Sequence, residues 1–478
     1  MLRFLALAGL LLATPSPQND STRRVFSPDT QADTRPDAPL SERRVSYDID
    51  VTLDPEAKTV SGVERITWRN TGPQPVGELQ FHMYLNAFKP GSTFMRESGG
   101  RHRGFEASSE DRWGGVELSS LRIVDAPLVP DGDLLGTPAL DPITAGTELL
   151  DEARFIQPDD SNLSDETVLS VPLPEAVAPG ETVTIEIDFV STLPEIVART
   201  GWATSSSGEP FFMVAQWFPK LGVYEIPGQR YVPADAETGR WSTHQFHANS
   251  EFYADFGTYR VRMTVPADYE LGATGQQVSA EDLGEQRAET YWAADVHDFA
   301  WTTGANLLVF EDQWEDVQLR LLMQPEHEAQ AQRHFDAAKI ALDRFDAWYG
   351  EYPYPTLTLV DGVGGSNGME YPTLITCGTV YMLPEWARPL ELVTIHEFGH
   401  QYWYGLVASN EAEEAWLDEG INSYSEVKVM EEAYGRGSVI DFPGFKISDS
   451  DFQRLSYTEQ NPTRGAIYAR SWDYTTRG

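Results

Sequence analysis

His396 to Gly420 reads HEFGHQYWYGLVASNEAEEAWLDEG. His396 and His400 stand four residues apart, and on a helix that spacing puts both imidazoles on one face, one turn apart. Both can then reach one metal ion, while Glu397 between them can reach a water beside the ion without occupying it. After eighteen intervening residues Glu419 follows in AWLDEG, where a second helix would bring it back to the first. Two histidines and one carboxylate leave the fourth tetrahedral position of a zinc ion open, the pattern of a catalytic site and not of a structural one. The alternative is an amphipathic helix with solvent-facing His and Glu. Phe398, Tyr402, Trp403 and Leu406 make the segment apolar on several sides, however, and charged groups among them need a partner. Gly399 costs about 1 kcal/mol against Ala inside a helix, so close approach of a strand, a substrate or a neighbouring helix is expected there.

Outward from this stretch the periodicity changes once. VSYDIDVTL places Val45, Tyr47, Ile49, Val51 and Leu53 on one face of a strand, and the turn residues DPEAK lead to a second strand ending RITW. The same period-two pattern returns at Val183–Phe189, Tyr259–Val265 and Val317–Leu321. From Pro325 the period becomes helical through Phe335, Ala338, Leu342, Phe345 and Tyr349, up to the YPYP break. TLTLVDG then reads as a short buried strand, followed by helices around Leu390–Leu406 and from Glu411. The fold class expected is a multidomain α+β protein, with a β-rich domain at 41–305 and a mixed α/β domain at 306–478. Residues 90–165 are expected to interrupt the first as long loops. Asp131, Asp133, Asp159 and Asp160 lie there without the spacing of a calcium loop, which favours a solvated acidic loop. His244 and His247, in a strand-like or loop region at spacing three, are expected to face different ways as ordinary histidines.

At 478 residues, two or three domains are the prior, and 41% hydrophobic residues allow large cores. Seventy-four acidic against 35 basic residues give a net charge of −39. That field repels nucleic acid and anionic lipid, so neither is an expected partner. The start, MLRFLALAGLLLATPSPQNDS, has the layout of a secretory signal peptide, with an apolar run too short for a stable membrane span. The expectation is a leader at 1–20, a disordered linker at 21–40 and export to the periplasm or the exterior. Cys377 is the only cysteine, so no internal disulfide forms; it is expected as a small buried residue.

The HExxH stretch with Glu419 in WLDEG resembles the aminopeptidase N family of zinc metallopeptidases. GGSNGMEYP, Gly364 to Pro372, is similar to that family's Gly-x-Met-Glu-Asn motif, and it lies upstream of the zinc helix as it does there. At pattern level QWFPK (Gln216–Lys220) and EFYADFGTYRV extend the likeness into the β-rich half. The resemblance implies a saddle-shaped β domain packed on a thermolysin-like catalytic domain. It implies one zinc per chain on His396, His400 and Glu419, with Glu397 as general base and proton shuttle. It also implies peptide substrates with a free N-terminus, whose α-amine is held by Glu370 beside Gly368 and Met369, with Gln216 as an assisting glutamine.

Two departures accompany it. Tyr371 stands where the family motif has Asn. The family's oxyanion tyrosine has only Tyr474 and Tyr468 as weakly matching counterparts near SWDYTTRG, Tyr474 being the one assigned, and the catalytic domain is expected to be truncated. The function implied is an exported zinc aminopeptidase. A thermolysin-like endopeptidase would use the same zinc site without an amine anchor, and a non-catalytic scaffold or binding protein of the same fold could dispense with the ligands.

Overall fold

The computed structural model describes residues 39–99, 101–102, 105–106, 112–126, 139–459, 467 and 469–474. The expected leader and nearly all of the linker, together with Asp131, Asp133 and Tyr468, lie outside the described residues.

The first half is built on an eight-stranded sheet. Val45–Asp54 lies at its centre, antiparallel to Thr59–Arg69 and parallel to Gly257–Pro266. The alternation read from the sequence sets the faces: Tyr47, Ile49, Val51 and Leu53 are all at most 2% exposed. Two four-stranded sheets and two short two-stranded ones accompany it, the four-stranded sheets being formed by Gly201–Thr204, Pro210–Val214, Trp301–Ala305 and Tyr269–Ala273, and around Val76–His82 and Val168–Val177.

The 90–165 segment is more ordered than a loop. It holds the short helix α1 (Thr93–Ser98) and the strand Gly115–Ile123, which pairs with Thr182–Thr192 in the main sheet. GVELSSLRI carries few strong apolar residues, and its pairing comes from the sheet edge offered by its neighbour; local pattern alone could not show this. Of the acidic residues there, Asp160 is exposed as expected of a solvated loop but Asp159 is drawn out of solvent, and both are bonded to the protein. Asp159 accepts hydrogen bonds from Gln245 N (2.7 Å) and His244 Nδ1 (2.7 Å), and Asp160 from Asn162 N (2.7 Å) and Gln245 Nε2 (2.9 Å).

The second half carries a five-stranded sheet in the order Leu308–Trp314, Val317–Met323, Thr356–Val360, Leu374–Thr376, Met369–Tyr371. The change of sheet thus falls between residues 305 and 308, and Met369–Tyr371 is the edge strand. Helices α2 (Ala331–Tyr349) and α3 (Pro389–Gly399) pack on it, α5 (Ile421–Tyr434) packs on both of these and α6 (Asp449–Glu459) on α5, with α4 (Glu411–Ala415) leading into Trp416–Gly420. Pro389 opens α3, where its missing N–H is no loss. Ile395 and Phe398 are fully buried, Phe398 edge-on against Phe345 of α2 at 5.6 Å between centroids. Each such burial stabilises by about 1.5–3 kcal/mol.

The helix expected around Leu390–Leu406 stops sooner. Regular α geometry ends at Gly399, and the chain turns sharply where Trp403 takes ψ 116° and Tyr404 φ 77°. The kink lays the Tyr404 ring against His297 of the β-rich half, 4.2 Å between centroids. Tertiary contact here overrides a locally helical pattern. No described helix is long and apolar enough to cross a membrane.

Candidate metal centre

Helices α3 and α5 meet at Gly399. A Cβ there would lie 2.0 Å from Asn422 Oδ1 and 2.8 Å from Phe345 Cζ, so only glycine allows the approach. Asn422 also donates from Nδ2 to the His396 carbonyl at 2.8 Å. Helix-to-helix packing is therefore what offsets the glycine.

This contact brings three ligand atoms together. His396 Nε2 and His400 Nε2 are 3.2 Å apart, and Glu419 Oε2 is 3.5 Å from the first and 3.8 Å from the second. Ligands about 2.0–2.1 Å from a tetrahedral zinc would stand about 3.3–3.4 Å from one another, so the set fits a zinc ion. The outer ring nitrogens make the stronger point. His396 Nδ1 is 2.6 Å from Glu426 Oε2, and His400 Nδ1 is bonded to Asp418 Oδ1. With Nδ1–H donating to a carboxylate, each Nε2 is left as a bare acceptor, and two bare acceptors face each other. A cation between them removes that repulsion. Carboxylate–histidine pairs of this kind orient metal ligands and raise their basicity. Asp418 and Glu426 were not singled out from the sequence; Asp418 adjoins a ligand, and Glu426 lies two helical turns beyond Glu419.

Glu370, His400 and Asp418 form a second group whose ligand atoms lie within 4.8 Å of one another. Two buried carboxylates and a histidine already bonded to one of them make a poorer cation site than two facing imidazoles. The group shows how close Glu370 stands to the centre. Its strand, Met369–Tyr371, is held against the histidine-bearing segment by Gln401, which donates from Nε2 to the Glu370 carbonyl (3.3 Å) and the Tyr371 carbonyl (3.1 Å) and accepts from Thr373 N (2.7 Å). Gly368 takes φ 79°, a left-handed conformation suited to glycine, and its added Cβ would lie 3.5 Å from Glu397 Oε1. Met369 is buried.

The Glu370 and Glu397 side chains are 8% and 6% exposed. Burial, with Glu370 adding to it, pushes the Glu397 carboxyl up to about 8, against the pull of His396, His400 and Arg199. Glu251 of the β-rich half faces the same space; burial pushes its carboxyl up to about 8 against Arg199, with Glu370 and Glu419 adding to the rise. Glu251 opens the EFYADFGTYRV stretch without having been singled out in it, and Arg199 carries no local sequence signal; each reaches the site from a distant part of the chain.

Gln216 and Tyr474 are placed elsewhere. Gln216 is buried with Nε2 donating to Asp298 (2.5 Å) and Oε1 accepting from Lys220 Nζ (2.7 Å), so its amide is committed to a buried network that neutralises Lys220. Tyr474 donates to the Ile467 carbonyl, and no contact joins it to His396, His400, Glu419 or Glu397 among the described residues. Its neighbour Trp472 stacks on His247 at 4.3 Å. His244 and His247 do not face apart: they lie outside any strand, and both reach Asp159, at 2.7 and 3.5 Å. His244 Nε2 also reaches Glu413 of α4 at 3.0 Å, joining the two halves. Cys377 is fully buried, with Sγ 3.4 Å from His334 Nδ1.

No protein-family model and no curated protein matches the chain. Solved structures do. An M1 zinc metallopeptidase from Deinococcus radiodurans superposes with a TM-score of 0.51 at 15% identity, covering 90% of this chain and 78% of that one. A single-substitution mutant of the M1 zinc metallopeptidase from the same organism gives 0.52 at 16%, covering 92% and 81%. At that identity the likeness is one of fold: the chain has the mixed, strand-rich α+β fold of the M1 zinc metallopeptidases, to which the aminopeptidase N family belongs.

Proposed function

We propose that this chain is a zinc-dependent aminopeptidase, with a β-rich domain at 41–305 and the catalytic domain from 306. The observation that carries the choice of reaction is Glu370. Its carboxylate is buried within 4.8 Å of a His400 ring nitrogen, and among the described residues no cation pairs with it. A desolvated anion with no protein partner favours a cationic ligand. An N-terminal ammonium held there would set the first peptide bond beside the metal ligands.

His396, His400 and Glu419 would hold one zinc per chain, and a zinc ion there supplies Lewis-acid activation of water and of the scissile carbonyl. Glu397 takes the proton from the attacking water and returns it to the leaving amine, a task suited to a carboxylate whose pKa burial has raised. Asp418 and Glu426 keep both imidazoles turned so that Nε2 faces the ion. Gln401 keeps the Glu370 strand in register with the histidine helix. An endopeptidase needs no unpaired carboxylate at this place, and a scaffold needs no facing imidazoles.

The test is hydrolysis of an aminoacyl-anilide that is lost with a chelator and restored by zinc. Absence of hydrolysis in zinc-loaded protein contradicts the reading. Export is part of the same proposal and rests on the apolar leader in Met1–Ser21. The exported protein should begin near residue 20, which sequencing of its N-terminus checks.

A further inference from the structure

Glu370 lies on an edge strand, whose outer side no further strand supports among the described residues. Support comes instead from the β-rich half. The turn Val197–Thr200 closes through Val197 N to Thr200 O (3.0 Å) and Thr200 N to Val197 O (3.1 Å). Its central residues, Ala198 and Arg199, have φ of 43° and 66°. Two successive left-handed residues are normally Asn-Gly or Gly-Gly, so Ala-Arg makes this turn strained, and such strain collects at functional positions.

The turn aims Arg199 across the junction. Arg199 Nε donates to the Gly368 carbonyl at 2.7 Å, and the Tyr371 hydroxyl donates back to the Arg199 carbonyl at 3.4 Å. One residue is therefore bonded to both ends of Gly368–Tyr371, with Glu370 inside. Glu251, Glu370 and Glu397 all act on the Arg199 charge, yet among the described residues none of their oxygens is in ion-pair range of it. The guanidinium balances three carboxylates without neutralising any one of them by contact. Arg suits this better than Lys, because its planar fork can bond a carbonyl through Nε and still direct its other N–H groups elsewhere.

We propose that Arg199 and Tyr371 form a clamp between the two halves that positions Glu370 for the substrate ammonium. The tyrosine standing where the resembling family has asparagine is then the second jaw of this clamp. Arg199 is a positioning residue: it acts through the strand and touches neither substrate nor metal. The proposal rests on the aminopeptidase reading and deepens it.

Binding is the readout, measured on the full zinc-loaded chain carrying Glu397→Gln so that peptide is not consumed. Arg199→Ala should weaken a short free-amine peptide at least tenfold and leave its N-acetylated form unchanged. Arg199→Lys should recover part of the loss. In a Glu370→Ala background Arg199→Ala should have little further effect, because the group it positions is gone. Equal weakening of both peptides, or the same tenfold loss without Glu370, would make Arg199 general domain cement and overturn the clamp. Tyr371→Phe removes only the return hydrogen bond and should weaken the free-amine peptide two- to fivefold; no change there also removes the clamp. It supplies the answer if Arg199→Ala fails to fold. If Glu370→Ala alone leaves the preference for free amine intact, the amine-anchor reading fails and the clamp fails with it. A loss with Glu370→Ala but none with Arg199→Ala or Tyr371→Phe sinks the clamp alone.

Discussion

The two ends of the proposed site are built on opposite plans. At the metal end every group comes from residues 396–426, on packed helices, and each imidazole is fixed from behind by its own buried carboxylate. At the proposed amine end the groups come from Arg199, Glu251 and Glu370, on a strained turn, a β-half segment and an edge strand, and among the described residues no ion pair neutralises their charges. A metal site can be completed by the protein because the ion is always the same. A peptide-binding site must leave charge unspent for a ligand that arrives and departs. The contrast predicts that changes at the metal end cost the ion or the reaction outright, while changes at the amine end cost selectivity.

The largest effects should therefore come from the histidine helix. His400→Ala should lose most of the zinc, read by metal analysis of purified protein. Glu397→Gln should keep the zinc and the fold but lose roughly 10²–10⁴-fold in turnover, the usual contribution of a general base. Near-normal turnover of that variant moves the base elsewhere.

Glu370→Ala comes next. Removing one member of a desolvated ion pair costs about 2–5 kcal/mol, so kcat/KM on free-amine peptides should fall roughly 30-fold to several thousand-fold with zinc content unchanged. If zinc falls in step, the two ends are not separable and the comparison breaks. Asp418→Asn and Glu426→Gln sharpen it from the other side: each should weaken zinc by roughly 10–100-fold, the typical effect of removing a ligand's outer partner. Competition against a chelator of known affinity reads this directly.

Between the halves the effect is smaller and depends on pH. Burial disfavours a charged His244, but its bonds to Asp159 and Glu413 outweigh that and push it up to about 9. A folded-state pKa above the unfolded value near 6.5 means the stabilisation is complete below about 6.5 and is lost as pH rises through about 9. Wild-type thermal stability should decline across that window, and His244→Gln should flatten the decline. An identical pH profile for the variant removes His244 as the cause.

What could be read beforehand follows the same division. The HExxH helix, Glu419 and the GMEY stretch were legible because their spacing is local, and the helical period from Pro325 was legible as the turn and helix at 325–349. The end of α3 was not legible, since the kink at Tyr404 comes from packing on His297. The Gly115–Ile123 strand depends on an edge supplied by Thr182–Thr192. Gln216 looked suitable by motif, but its amide is committed to hydrogen bonds with the Lys220–Asp298 ion pair instead. Arg199, 169 residues from Gly368 along the chain, has no pattern that points to it at all.

The central claim is that the proposed site measures from a free amine to the metal. One peptide, prepared with its N-terminus free and again acetylated, tests this with the wild-type zinc-loaded protein and mass analysis of the products. The account predicts release of the first residue from the free peptide and almost no cleavage of the acetylated one, because Glu370 then has no ammonium to hold. Equal cleavage of both, or cuts inside the free peptide, would contradict it and make the protein an endopeptidase.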